Sequence, residues 1–491
     1  MNFYNILFSL TSVLLFLVAD YLIFGTIFQK EIFLLFLLIL CASYMHRYSL
    51  FVFLITIFLF SFVGYLFYSY YGRSITINDI VLFTRHTTET FDTFFDRRAV
   101  FLKAFVVSGL FFAAMIFAFA TLGKKLKKHR MGKLALISVI FIILGGNFKN
   151  YSVFLLASSL KDYALIEKEA PYQTNFFSDI EALKEGEANI ILVIGESLRY
   201  SKMRLFGYEK DTTPGLDRLK NKENFIYKPC ISYATSTDVS VPLLLNPIEN
   251  PKQLRNIRLF SRNLFRLAKK NGYRTYFISS QSQRVIKYMK KFIGMRFIDV
   301  FKTCEDMSDG CKFGMMDGKL LEEFKSMDLN KKSFVVLQMS GQHSPYRYYP
   351  EEFGRFSEDV LGRYDNSVLY TDYVISEIIK YIENFAKRPT VFIFTSDHGE
   401  MLGEKSRWGH NCFEKEVYSV PFVFYTKNLE DKALKEIENA HFMTHYNISE
   451  LILYYLGYSS SFSPKLTDIY VNGTMITGED GYIKLENVII D

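Results

Sequence analysis

The sequence predicts a chain in two parts: an N-terminal α-helical membrane domain of about five spans, and a C-terminal α/β domain with a central, mostly parallel sheet. Three observations lead there. Apolar residues concentrate before residue 157 in stretches of bilayer length. After residue 188, short continuous apolar runs alternate with helical patterns, as in a sheet buried on both faces. Two of these runs stop at polar clusters: Ile190 to Ile194 at Gly195-Glu196-Ser197, and Val391 to Phe394 at Thr395-Ser396-Asp397-His398-Gly399-Glu400. The expected boundaries are 1–157 for the membrane domain, 158–187 for a linker and 188–491 for the α/β domain.

In chain order the spans are Tyr4 to Phe28, Ile32 to Tyr44, Leu50 to Tyr71, Val100 to Leu122 and Leu134 to Leu156. The second is short of the ~20 residues that cross a bilayer. The densest basic cluster near any span is Lys124-Lys125-Leu126-Lys127-Lys128-His129-Arg130-Met131-Gly132-Lys133, which the positive-inside rule places in the cytoplasm. Alternation then puts the amino terminus and His46-Arg47 inside, and everything after residue 157 outside. The first stretch has no small-residue cleavage site and is followed by further spans, so it reads as a retained anchor. Asp20, toward the outer end of that span, can reach headgroups. The net charge of +7, from 58 Lys and Arg against 51 Asp and Glu, lies in good part beside the bilayer. It argues against nucleic acid as a partner.

Residues Ser158 to Glu187 are polar and interrupted by Pro171, as expected of a tether. Expected strands are Ile190 to Ile194, Tyr273 to Ile278, Phe334 to Met339, Val391 to Phe394 and Pro421 to Tyr425. Helical patterns run over Ser261 to Lys270, Ser367 to Phe385 and Ile448 to Leu456. Strands alternating with helices argue for a three-layer domain. Of the five cysteines, Cys304 and Cys311 can close a small loop in an oxidising compartment, Cys41 is apolar filler in a span, and the pairing of Cys230 with Cys412 is left open.

Parallel sheets place their sites beyond the carboxyl ends of the strands, so Glu196, Asp397 and His398 should converge. Two carboxylates and an imidazole suit a dication such as zinc. A metal-held hydroxyl is a route to a nucleophile at neutral pH. Tyr233-Ala234-Thr235-Ser236-Thr237-Asp238-Val239-Ser240-Val241-Pro242 offers four hydroxyls. These residues alone do not choose among Thr235, Ser236, Thr237 and Ser240, and the segment reads equally as a helix cap.

The chain resembles the phosphoethanolamine transferases that modify lipopolysaccharide, members of the alkaline phosphatase and sulfatase superfamily. The resemblance rests on Gly195-Glu196-Ser197-Leu198-Arg199, Phe206-Gly207-Tyr208, Asp211-Thr212-Thr213-Pro214, the Thr-rich segment before Val241-Pro242, Ser396-Asp397-His398-Gly399-Glu400, and the five spans. It implies a sulfatase-like catalytic domain and selects Thr237, five residues before the proline, as nucleophile. It further implies that Glu196, Thr237, Asp397 and His398 hold one Zn2+, and that His343 and His410 contact the transferred phosphate group or a second metal. Arg284 is the candidate for a further basic residue near the phosphate. The loop Asn78 to Asp96, which contains Thr87 and Glu89, resembles a family segment that helps bind the lipid donor, but by its residues it reads first as a solvated interfacial helix. His445 matches a family position and is read as structural. The Cys304 and Cys311 pair resembles a family disulfide, whereas the cysteines that flank the nucleophile in relatives are replaced by Tyr233 and Leu243.

The activity implied is transfer of phosphoethanolamine from phosphatidylethanolamine to a lipopolysaccharide acceptor, lipid A or core, through a covalent Thr237 intermediate. The protein would be a multi-pass component of the bacterial inner membrane with its catalytic domain in the periplasm. A phosphoglycerol transferase of the lipoteichoic acid synthase type would share spans, zinc and Thr. A sulfatase would want an Arg two residues after the proline of Ser240-Val241-Pro242, where Leu244 stands. A non-catalytic membrane protein with a degenerate domain would be expected to have lost a ligand.

Overall fold

The computed structural model describes residues 47–71, 75, 97–118 and 181–484, apart from 249–256, 258, 312–313, 430–431, 460–469 and 477–480. It divides into two compact units, Met1–Ala170 with Gly403–Arg407, and Pro171–Leu402 with Trp408–Asp491.

In the first unit, α1 (Arg47–Tyr71) and α2 (Arg98–Ala118) have 25 and 21 residues. At 1.5 Å per residue they are about 38 and 31 Å long. Phe58 and Phe62 of α1 meet Phe101, Phe105 and Phe112 of α2 edge to face, with centroids 5.2 to 6.2 Å apart. Ser61 and Ser108 are buried, while Phe51, Leu59, Leu102 and Phe105 are exposed. Among the described residues, one stretch is long and apolar enough to cross a membrane, Leu54–Tyr71. The two helices coincide with the third and fourth expected spans. The other three spans, the 124–133 loop, Asp20, Cys41, Thr87 and Glu89 lie outside the described residues.

The second unit is built on β1 (Asn189–Gly195), β2 (Phe225–Ile231), β3 (Arg274–Ser279), β4 (Val300–Lys302), β5 (Ser333–Gln338), β6 (Thr390–Ser396), β7 (Met401–Leu402), β8 (Trp408–Gly409), β9 (Ser419–Lys427) and β10 (Met443–Thr444). Eight of them form one sheet in the order β10-β2-β9-β6-β1-β5-β3-β4, and β7 pairs with β8 separately. Only β9 runs against its neighbours, so the expected mostly parallel sheet is observed.

The longer helices are α3 (Thr237–Leu245), α4 (Leu264–Lys270), α5 (Gly318–Lys325), α6 (Val360–Phe385), α7 (Lys432–Asn439) and α8 (His445–Tyr455). β1 shows why its sequence has no polar alternation. Ile190, Leu192 and Ile194 enter one core with Leu264, Phe265 and Leu267 of α4 and Ile448, Leu451 and Ile452 of α8. Ile191 and Val193 enter the other with Leu320 and Phe324 of α5 and Ile375, Ile378 and Ile379 of α6. Successive side chains point to opposite faces, and both faces are covered by helices.

Two of the elements that differ from expectation show the physical reason. β2 is interrupted in sequence by Tyr227-Lys228-Pro229 and gives no apolar run. Pro229 lies opposite Pro421 of β9, so neither is asked to donate to the other. Pairing of β9 with β6 also ends one residue past Pro421, at Phe422 opposite Thr395. The second element, α6, begins at Val360 rather than Ser367, capped by Asp359, which accepts from the Gly362 N–H at 2.7 Å. Its second turn is polar yet buried: Asp365 accepts from Lys210 at 2.6 Å, and Asn366 accepts from the Phe356 N–H at 2.8 Å. The expected Cys304 to Cys311 bridge is present, with Cα atoms 6.0 Å apart, and Cys230 and Cys412 are not joined in a disulfide.

Farther along α6, the buried Asp372 accepts from the Gly215 and Leu216 N–H groups at 2.7 and 2.9 Å, satisfying the start of the short helix Pro214–Asp217. Burial pushes its carboxyl from 3.8 up to about 7. The folded state therefore holds this proton more tightly than the unfolded one, and the associated stability is complete below about pH 4 and lost as pH rises through 7. Wild type should lose roughly 2–3 kcal/mol relative to Asp372→Asn between pH 5 and 8, at ~1.4 kcal/mol per pH unit. Thermal unfolding of both proteins at the two pH values measures this, because other titrating groups are common to both. Parallel losses would refute it.

Candidate metal centre and nucleophile

β1 and β6 are adjacent and parallel, with Gly195 opposite Ser396, so the residues that follow each strand emerge side by side. The Asp397 N–H donates to the Gly195 carbonyl at 3.0 Å. Ser197 turns the chain with φ of 57°, in the left-handed region that non-glycine residues rarely occupy. From there its N–H donates to Asp397 Oδ1 at 3.0 Å and its hydroxyl donates to Glu196 Oε1 at 2.8 Å. The His398 N–H also reaches Asp397 Oδ1, at 2.7 Å. Oδ1 is thereby committed to the backbone, leaving Oδ2 to face the site.

Thr237 is the first residue of α3, after Ser236 at the cap position. Its Oγ1 donates toward Asp397 Oδ2 at 2.6 Å and lies 3.2 Å from both Glu196 Oε2 and His398 Nε2. Ser240, one turn later, is fully buried and donates to the Asp397 carbonyl at 2.6 Å. Of the two, Thr237 is the hydroxyl directed at the acidic pair. Its place at a helix start also puts backbone N–H groups and the positive end of the helix dipole beside any anion bound there.

Glu196, Asp397 and His398 are all buried and present one ligand atom each within 4.8 Å of one another. His398 Nε2 is 3.4 Å from Asp397 Oδ2 and 3.6 Å from Glu196 Oε1. Donors about 2.0 Å from a tetrahedral zinc are separated by about 3.3 Å, so this oxygen and nitrogen set fits the ion. His398 Nδ1 lies 2.8 Å from the Gly399 carbonyl; donation there leaves the Nε2 lone pair facing the carboxylates, the arrangement a metal ligand needs. Burial, then the Glu196 carboxylate, push the Asp397 carboxyl up to about 6. For His398 burial acts downward, but Asp397 and Glu196 outweigh it and raise the imidazole. Two acids crowded in a dry site with an imidazole gain from a dication that neutralises them.

A second group adjoins the first. His410 Nδ1 is 3.0 Å from Glu400 Oε2, and Tyr346 donates its hydroxyl to Glu400 Oε1 at 2.8 Å. The His410 and His398 ring centroids are 4.2 Å apart. Burial and the His398 charge lower the His410 imidazole; Glu400, although buried, is held below the usual carboxylate range by His410.

Of the other expected residues, His343 is half-buried in the loop after β5, with Nδ1 2.9 Å from the Ser344 carbonyl. Arg284 is exposed in the loop after β3. His445 is buried, and its Nδ1 accepts from the Tyr233 N–H at 3.2 Å while Nε2 lies 2.9 Å from the Ser396 carbonyl. Burial brings it down to about 3, so it serves as a neutral link beneath Asp397. Sequence reasoning missed Gln281, which donates to Glu196 Oε2 at 2.9 Å, and gave no role to Glu400 or Tyr346. A neutral amide in a polar loop carries no chemical signal of its own. Glu400 stood in plain view two residues after His398.

Residues 188–458, more than half of the chain, match the family described as Sulfatase. This chain belongs to the sulfatase family. Among curated proteins it is similar to phosphoethanolamine transferase EptA of Helicobacter pylori, 29% identical over 263 residues, which cover 48% of this chain and 47% of that protein. The chain spans about half the length of the curated relatives it matches. Among solved structures it resembles the integral membrane lipooligosaccharide phosphoethanolamine transferase A of Neisseria meningitidis, with TM-score 0.58 and 17% identity over 94% of this chain and 97% of that one. It also resembles the C-terminal periplasmic domain of EptC from Escherichia coli in complex with Zn, with TM-score 0.53 and 20% identity over 65% of this chain and 98% of that one. At these identities the two structures establish a shared fold.

Proposed function

We propose that this chain is a zinc-dependent phosphoethanolamine transferase of the bacterial inner membrane, with five spans and a periplasmic catalytic domain. Its donor is phosphatidylethanolamine and its acceptor a lipopolysaccharide, at lipid A or core. The observation that carries the reading is Thr237 Oγ1, placed at a helix start within 3.2 Å of Glu196, Asp397 and His398. The names of the relatives support the group transferred, and the Zn complex of the EptC domain supports the metal. The apolar, outward-facing side chains of α1 and α2 support a lipid setting for the first unit.

Glu196, Thr237, Asp397 and His398 would hold the zinc. Bound there, the ion would supply Lewis acidity, lowering the pKa of the threonine hydroxyl and drawing charge from the phosphoryl oxygens. Thr237 attacks the phosphorus of the donor, its proton passing to the adjacent carboxylates. The bond between phosphorus and the glycerol oxygen breaks, and diacylglycerol leaves with a proton. Backbone N–H groups at the start of α3 face the charge that develops on phosphorus. His343, His410 and Arg284 contact the phosphate group. An acceptor oxygen then attacks phosphorus, the Thr237 Oγ–P bond breaks, and the hydroxyl is restored. Anchoring the domain to the bilayer keeps both lipid substrates close, replacing three-dimensional diffusion with proximity.

The direct test mixes purified full-length protein with phosphatidylethanolamine and lipid A in detergent. Mass spectrometry should find diacylglycerol and lipid A heavier by one phosphoethanolamine, with neither produced in excess chelator. Glycerophosphate on the acceptor, from phosphatidylglycerol as donor, would favour the phosphoglycerol reading.

A further inference from the structure

Asp317 immediately precedes α5, where an Asp ordinarily caps its own helix, yet its carboxylate makes no cap bond. The Gly318 N–H is satisfied instead by the Tyr370 hydroxyl, at 2.8 Å. Asp317 is 1% exposed and spends its oxygens on two other loops. Oδ1 accepts from the Ser280 hydroxyl at 2.5 Å and the Ser340 N–H at 2.8 Å, and Oδ2 accepts from the Gly341 N–H at 3.0 Å.

Both loops terminate on Glu196. Gln281, next to Ser280, donates through Nε2 to Glu196 Oε2 at 2.9 Å and to the Met339 carbonyl at 3.0 Å. Gln342, next to Gly341, donates its N–H to the Glu196 carbonyl at 3.0 Å. Gly341 has φ of +44°, and a Cβ there would stand 3.0 Å from the Glu196 nitrogen, so the turn is pressed against the Glu196 backbone. The Cys304 N–H closes on the Gln281 carbonyl at 3.3 Å, adding the disulfide loop to the same support. A buried carboxylate is a poor route to stability alone, since apolar packing of the same volume avoids the desolvation cost. Here it is the junction through which two loops reach one acidic residue, one at its side chain and one at its backbone.

We propose that Asp317 is a positioning residue that fixes the side chain and backbone of Glu196 for metal binding, acting through Ser280-Gln281 and through Ser340-Gly341-Gln342. The inference rests on the reading of Glu196 as a zinc ligand. A ligand carboxylate held in place binds without being ordered at that moment; a partner that hydrogen-bonds a ligand directly, as Gln281 does, typically changes affinity by about 10–100-fold, and Asp317 acts one link farther out.

The test measures zinc affinity of full-length protein in detergent by competition with a chromophoric chelator, alongside thermal unfolding of the metal-free form. In Asp317→Asn, Oδ1 can still accept from Ser280 and Ser340, but the new amide meets the Gly341 N–H donor to donor. Zinc affinity should fall about 10–100-fold in Gln281→Leu, which removes a direct partner of Glu196, and up to about 10-fold in Asp317→Asn, one link behind it. The double variant should fall by less than the product of the two, because both act on Glu196. Ser280→Ala, which leaves the carboxylate two donors, should weaken zinc several-fold and serves if Asp317→Asn does not fold. Wild-type affinity in Asp317→Asn together with a lowered unfolding temperature would make the carboxylate structural only and overturn the proposal. Wild type that binds no zinc would overturn the reading beneath it as well, which separates the two failures.

Discussion

Thr237→Ala is expected to abolish turnover, by about 10³-fold or more, while leaving zinc content and fold nearly intact. The direction follows from what the residue touches. Its Oγ1 is the hydroxyl within 3.2 Å of Glu196, Asp397 and His398, and the methyl left behind can neither attack phosphorus nor carry the group. Fold should survive because alanine is at least as good as threonine at the start of a helix interior. Metal should survive because two carboxylates and an imidazole remain. The decisive measurement is a mass adduct. With phosphatidylethanolamine and no acceptor, wild type should gain one phosphoethanolamine on the peptide containing Thr237, and Thr237→Ala should gain none. An adduct on Thr235 or Ser240 would move the nucleophile, and retained turnover in Thr237→Ala would remove the covalent step altogether.

Asp397→Asn should remove metal and activity together, each by about 100-fold or more, since a ligand ought to matter at least as much as a partner behind one. Oδ1 is fixed by the Ser197 and His398 N–H groups, so the asparagine must keep its carbonyl there. Its amide nitrogen then takes the place of Oδ2, where it presents hydrogens to Thr237 and to the metal position instead of a lone pair. Zinc content by elemental analysis and turnover should fall in proportion. Full zinc content with lost turnover would make Asp397 a proton acceptor and not a ligand.

Much of this was legible in the sequence because parallel strands buried on both faces cannot hide. Ile190 to Ile194 and Val391 to Phe394 announce central strands, and their neighbouring positions in the sheet bring Glu196, Asp397 and His398 together. β2 was not legible, because Tyr227, Lys228 and Pro229 break its apolar run and its place is granted by the pairing with β9. The start of α6 was not legible either, because Asp365 and Asn366 are polar residues satisfied by partners outside the helix, Lys210 far along the chain and Phe356 in the preceding loop. Cys230 and Cys412 could not be judged until the fold showed that no disulfide joins them.

By itself, the sequence determined the class of the α/β domain, the three candidate ligands and the place of their convergence. These depend on hydrophobic period and on strand ends, which are local properties. The hydrogen bonds that turn the Thr237 hydroxyl, already picked out by the family resemblance, toward those residues, the roles open to Gln281, Glu400 and Tyr346, and the junction at Asp317 were decided by tertiary structure. Each is set by hydrogen bonds between loops that are remote in sequence, and such bonds leave no periodic trace. A buried polar side chain is defined by the partner that satisfies it, and only the folded chain supplies the partner.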